Sequence, residues 1–132
     1  MDTFEIQTRK RTEFVEITAE VRKILQRSGI KQGICVVYCP HTTAAITINE
    51  NADPDVVHDL LLWLNRNILQ QQPDFRHSEG NSDAHIKSSL VGSSATLLVA
   101  GGDLVLGRWQ GVYFCEFDGP RQRTVHVQCL AG

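Results

Sequence analysis

Apolar residues along this chain recur mostly at every second position, interrupted by two stretches at helical spacing. Thr3 to Arg9 and Thr12 to Ile17 alternate as two short strands, with a turn near Lys10-Arg11. From Thr18 the period changes. Val21, Ile24 and Leu25 share one helical face, and Ser28-Gly29 closes that helix in a C-cap pattern. Gly33 to Cys39 reads as a buried strand and Thr42 to Ile48 as another, rich in β-branched residues. Asp53-Pro54 is the clearest helix start: Asp53 suits the N-cap, Pro54 the first turn, and Asp55 the positive helix end. The helix through Leu69 is apolar almost all round, which predicts burial on the sheet and against another subunit.

Ala84 to Leu90 fits a short third helix capped by Ser82 or Asp83. Ala95 to Ala100 and Leu104 to Leu106 read as a hairpin around Gly101-Gly102-Asp103. Trp109 to Phe117 and Gln122 to Leu130 read as a second hairpin, turning at Asp118-Gly119-Pro120-Arg121. With Gly119-Pro120 as a two-residue turn, Asp118 faces Arg121, Glu116 faces Arg123 and Tyr113 faces His126. The pattern predicts one α+β domain over 1–132. It is an antiparallel, sandwich-like β-sheet packed with two main helices and a short third one.

Composition narrows the function. A length of 132 residues with 42% hydrophobic content is enough for a real core. A formal net charge of -2 disfavours extended nucleic-acid binding, which draws on a basic face. Met1 to Glu5 lacks the start of a signal peptide, and no apolar run is long enough to span a bilayer, so the expected compartment is the cytoplasm. Cys35, Cys39, Cys115 and Cys129 form no CxxC pair and read as reduced packing residues.

The chemistry concentrates in three polar segments: Pro40-His41-Thr42-Thr43 with Asn49-Glu50-Asn51, the loop from 77 to 85, and the final hairpin. His41 opens a strand, where an imidazole either binds a divalent ion or relays protons. His77 and His85 flank Glu79 and Asp83, which offer oxygen ligands or orient the imidazoles. The candidate metal ligands are therefore His41, His77, His85 and Asp83, for zinc or magnesium. The same loop also reads as a phosphate site, because Ser82, Asp83 and Ala84 open a helix and Lys87 follows. A magnesium-bridged diphosphate would reconcile its acids with an anion. Glu116 is either a base or ligand, or the partner of Arg123 in a cross-strand ion pair. His58 and His126 read as structural. Thr43, Asn81, Lys87, Trp109, Gln110, Arg121 and Arg123 complete the set as candidate substrate contacts.

Three motifs in order carry a resemblance over nearly the whole chain: His41 through Pro54, Glu79-Gly80-Asn81-Ser82-Asp83-Ala84-His85-Ile86-Lys87, and Gly107-Arg108-Trp109-Gln110-Gly111 through Glu116. The chain resembles the YjbQ family, also described as secondary thiamine-phosphate synthases. That resemblance implies a homotrimer with pockets near subunit boundaries. It also implies a shared polar site of His41, Glu79, His85 and Glu116, with Trp109 and Gln110 close by. The implied activity joins hydroxymethylpyrimidine diphosphate to thiazole phosphate and releases diphosphate. It asks for charge stabilisation of the leaving group and, in Trp109 and Tyr113, walls that exclude water. A metal-dependent hydrolase and a non-catalytic metal or metabolite binder are the alternatives.

Overall fold

A computed structural model describes residues 1–132. Its elements run β1 (Asp2–Gln7), β2 (Glu13–Glu16), α1 (Thr18–Ser28), β3 (Gly33–Tyr38), β4 (Ala44–Glu50), α2 (Pro54–Asn67), α3 (Ser82–Val91), β5 (Ser94–Ala100), β6 (Asp103–Leu104), β7 (Gln110–Glu116) and β8 (Gln122–Ala131). All strand pairs are antiparallel, in a five-stranded sheet ordered β1-β8-β3-β5-β6 and a three-stranded sheet ordered β2-β7-β4.

Alternation explains how the layers stack. On β7, Val112 and Phe114 point into the core between the sheets, while Tyr113 and Cys115 point into a second core on the opposite face. On β4, Ala44 and Ile46 take the first face and Ala45 the second. A strand covered on both sides must be apolar at consecutive positions, and β7 is. Val21, Ile24 and Leu25 of α1 enter the first core, while Ala84 of α3 with Val57 and Leu64 of α2 meet the second. Burying a side chain such as Phe114 completely contributes about 1.5–3 kcal/mol.

Local signals hold where they are local. Asp53 Oδ1 accepts the Asp55 N–H at 2.9 Å, Pro54 opens α2, and Gly29 ends α1 at φ 72°. Gly101 and Gly102 carry positive φ in the β5–β6 turn, as a tight hairpin needs.

Two expectations are corrected. The final pair of strands is no hairpin: β7 lies in one sheet, and β8 lies in the other between β1 and β3. His126 therefore pairs with Thr3 and Tyr38, and Tyr113 with Glu16 and Thr47. Asn81, rather than Ser82 or Asp83, is the N-cap of α3. The two strands either side of Lys10-Arg11 are present as expected, each in a different sheet. Helix α2 rests Val57 and Leu64 on the second core and leaves Trp63 61% exposed.

Candidate functional site

The turn at 118–121 crosses from one sheet to the other and is held by the β1–β2 connection. Gly119 N–H donates to the Arg11 carbonyl, and Thr8 N–H to the Arg121 carbonyl. A Cβ at Gly119 would stand 2.4 Å from the Lys10 carbonyl oxygen, so only glycine fits. Beside this turn Glu116, wholly buried, receives both Arg123 Nε at 2.8 Å and Arg123 Nη2. It also accepts from Thr8 Oγ1 at 2.8 Å and from the Asp118 N–H at 3.0 Å. Burial alone would raise the Glu116 pKa. The Arg123 bonds, helped by Asp118 and Thr8, outweigh it and hold the carboxyl below its ordinary value. Arg123 also donates to Thr43 Oγ1 at 2.8 Å, so one guanidinium clamps β7, β8 and the β3–β4 connection.

That connection carries His41. Its Nε2 accepts the Thr124 N–H at 2.9 Å, and its ring stands edge-on to Phe114. Burial and the nearby Arg123 charge hold its pKa below the ordinary 6.5.

The second wall is α3. Asp83 is buried with both oxygens engaged by Arg11 at 2.9 and 3.0 Å, and one also by Lys87 Nζ at 2.9 Å. Burial would raise its pKa, but Arg11 and Lys87 pull it below the usual carboxylate value. Lys87, 1% exposed, passes its remaining bond to Asn65 Oδ1. Ser88 Oγ donates to the Thr42 carbonyl and ties α3 to the first wall. Asn81 Nδ2 donates to Asp118 Oδ2 at 2.8 Å. Its Oδ1 is the one buried side-chain polar atom of the chain without a hydrogen-bond partner.

Between these walls lies a cavity of about 330 Å³ in which Pro40 is the one apolar lining residue, beside His41, Thr42, Thr43, Glu79, Asn81, His85, Asp118, Arg121 and Arg123. A second cavity of about 520 Å³ is also lined by His41 and His85, with Ser88, Ser89 and Ser93. His77 stands over a third with His85, their rings edge-on at 5.4 Å, and its Nε2 is 3.6 Å from Glu79 Oε2.

His41, Thr43, Glu79, Asn81, His85, Arg121 and Arg123 thus share one cavity. Others do not reach it. Glu116 sits behind Arg123 as the fixed partner of that cation and has no free oxygen for a base. Asp83 and Lys87 neutralise each other inside α3, so the charges expected to meet ligand carry the fold instead. Trp109 and Gln110 lie at the far end of β7 from Glu116, about 20 Å away at roughly 3.3 Å per residue. There Gln110 accepts the Gly107 N–H, and the Arg108 guanidinium covers the Trp109 ring at 4.7 Å. Tyr113 is no cavity wall either; its hydroxyl donates to the Glu50 carbonyl and its ring packs on Phe14. Arg11, Thr8 and Asp118 were missed as supports, since only the crossing of the two sheets brings them together.

Two of the four expected metal ligands are already engaged within one chain. Asp83 has both oxygens on Arg11 and Lys87, and the Nε2 lone pair of His41 is taken by Thr124, which leaves His77 and His85, with neighbouring Glu79, as the donors open to an ion.

Residues 2–132 match the family described as "UPF0047 protein YjbQ-like". The UPF0047 protein YugU of Bacillus subtilis is 52% identical over 130 residues, 98% of either chain. A UPF0047 protein of Methanocaldococcus jannaschii is 51% identical over 127 residues, 96% of this chain and 91% of that one. A crystal structure of an uncharacterized YjbQ/UPF0047 protein from Clostridium acetobutylicum superposes with TM-score 0.96 at 49% identity, covering 98% and 100% of the two chains. One from Sulfolobus solfataricus, described as of unknown function, superposes at 0.94 with 33% identity, covering 99% and 96%.

Proposed function

This chain belongs to the YjbQ-like UPF0047 family, and on that premise we propose that it is an enzyme acting on a small phosphorylated substrate in the manner of a thiamine-phosphate synthase. The reaction joins hydroxymethylpyrimidine diphosphate to thiazole phosphate, forming thiamine phosphate and releasing diphosphate. One observation carries the reading: His41 and His85, distant in the chain, line the same two polar cavities, and Arg121 and Arg123 line the smaller of them. Cations and imidazoles around an anion stabilise charge as it develops on a leaving phosphate. Glu79 and Asp118 are the oxygen groups that a magnesium ion carried in on the diphosphate would meet.

The working unit in this proposal is a homotrimer in the cytoplasm. No helix is long and apolar enough to cross a membrane. Exposed Trp63 and the apolar face of α2 support association. A neighbouring subunit would also bring Trp109 and Gln110, remote from the site in their own chain, to a pocket at the subunit boundary.

A coupled assay with both substrates tests this. Thiamine phosphate should form, and His85→Ala should cut its formation by roughly 10²–10⁴-fold while the far-ultraviolet circular dichroism stays unchanged. Diphosphate released without any thiazole partner would favour a hydrolase. One feature supports that second reading: the smaller cavity has only Pro40 as an apolar wall to keep water from a carbocation-like pyrimidine.

A further inference from the structure

We infer that His41 holds its proton on Nδ1 and serves the substrate as a hydrogen-bond donor to an acceptor oxygen, and that it is neither a metal ligand nor a general base. The inference rests on reading the shared cavity as a substrate site, but its physical part stands on backbone geometry alone.

Strand β3 ends at Tyr38, opposite His126 of β8. Two residues further along β8, Thr124 offers an N–H that β3 no longer meets with a carbonyl. His41 Nε2 takes that place at 2.9 Å, and the side chain extends the ladder by one bond. A backbone N–H is an obligatory donor, so the nitrogen facing it must present a lone pair. A proton on Nε2 would set N–H against N–H and leave the amide unpaired, at a cost of about 1–3 kcal/mol. A neutral imidazole has one proton, which is thereby assigned to Nδ1.

The surroundings keep the ring neutral. Partial burial disfavours a positive imidazole most, and the Arg123 and Arg121 charges act in the same direction. Glu116 opposes them, but its carboxylate is already paired with Arg123.

The only lone pair is therefore spent on Thr124. Binding a metal through Nδ1 would demand either an imidazolate or loss of the Thr124 bond, and accepting a substrate proton would demand breaking that bond. What remains is a neutral donor whose position is set by the β-sheet. Such a group suits the oxygen of a phosphate as negative charge grows on it, because it strengthens with that charge and never competes with the ligand for a cation. Thr124 is then a positioning residue acting through its main chain.

Nitrogen-15 NMR of the histidine rings in the full chain tests the inference without any turnover. At neutral pH His41 should show an unprotonated Nε2 and a protonated Nδ1, and zinc chloride should leave both resonances in place. A proton on Nε2, or a zinc-induced shift of the Nδ1 resonance, would overturn it. In the coupled assay, His41→Asn keeps an amide N–H near the position of Nδ1 and should retain turnover about tenfold above His41→Ala. Equal loss in both variants sinks the donor role. If the NMR tautomer holds while no thiamine phosphate forms in the wild type, the proposed reaction falls and the tautomer stands.

Discussion

Two concavities of similar size divide this molecule. The cleft between α3 and the β3–β4 connection has Pro40 as its one apolar lining residue in its smaller part, whereas the groove under α2, about 490 Å³, is walled by Phe14, Val56, Leu60, Trp63, Leu64 and Val91. The cleft is cross-tied: Arg123 joins Glu116 to Thr43, Ser88 holds Thr42, and Asp118 holds Asn81. No buried ion pair ties α2 in this way, and its largest side chain stays in solvent. Polar groups in the cleft are largely satisfied among themselves, and Asn81 Oδ1 is the buried one left without a partner. The groove leaves hydrophobic surface for another protein surface to cover. A ligand site must be rigid before anything binds, while an association surface completes its core on binding.

The largest effect that would sharpen this contrast is on chemistry. His85→Ala should cut turnover by roughly 10²–10⁴-fold with the urea midpoint unchanged, because His85 only lines cavities. A shifted midpoint with full activity would remove it from the site.

Next comes the clamp. Arg123→Met leaves Glu116 buried and unpaired, and should destabilise the fold by about 3–5 kcal/mol in urea titration. Adding Glu116→Gln should recover part of that loss, since the uncompensated charge is its main source.

The groove should respond differently. In the proposed trimer, Trp63→Ala should weaken subunit association by about 2 kcal/mol or more, seen as dissociation in sedimentation at micromolar protein. A trimer unmoved by that change would place the interface elsewhere.

Acid should weaken the cleft before the groove. His41, Asp83 and Glu116 all have proton affinities lower in the fold than in ordinary solution. The unfolded chain then binds more protons, so stability falls as pH falls. The His41 contribution is lost below its ordinary 6.5, and the carboxylate contributions below about 4. Urea midpoints followed from pH 8 to pH 3 should decline in these two windows, and His41→Asn should erase the upper one.

The smallest effect concerns thiols. Burial, with a bond to Cys129 at 3.5 Å between sulfurs, pushes the Cys35 thiol up to about 12. An alkylating reagent at neutral pH should therefore mark partly exposed Cys129 first and reach Cys35 and Cys115 only in urea.

Much of this architecture was legible before any coordinates. The Asp53-Pro54 start of α2, the Gly29 end of α1 and the Gly101-Gly102 turn are short-range chemistry, decided by which backbone angles a residue allows and which amide it caps. The histidines and acids of 41 and 77–85 were also visible, because polar residues without apolar period have no other obvious task. Partnership between remote elements was not visible. Every strand offers the same backbone donors and acceptors, so alternation tells which face a residue takes and not which sheet it joins. That is why Gln122 to Ala131 pairs with the first strand and the third rather than with its neighbour in sequence. Nor does a charged side chain announce whether it will meet a ligand or a counter-ion. The Glu116–Arg123 pair was one of two readings the sequence offered, whereas Asp83 and Lys87 were set apart from the cleft by Arg11 and Asn65, contacts that exist only once the chain has folded.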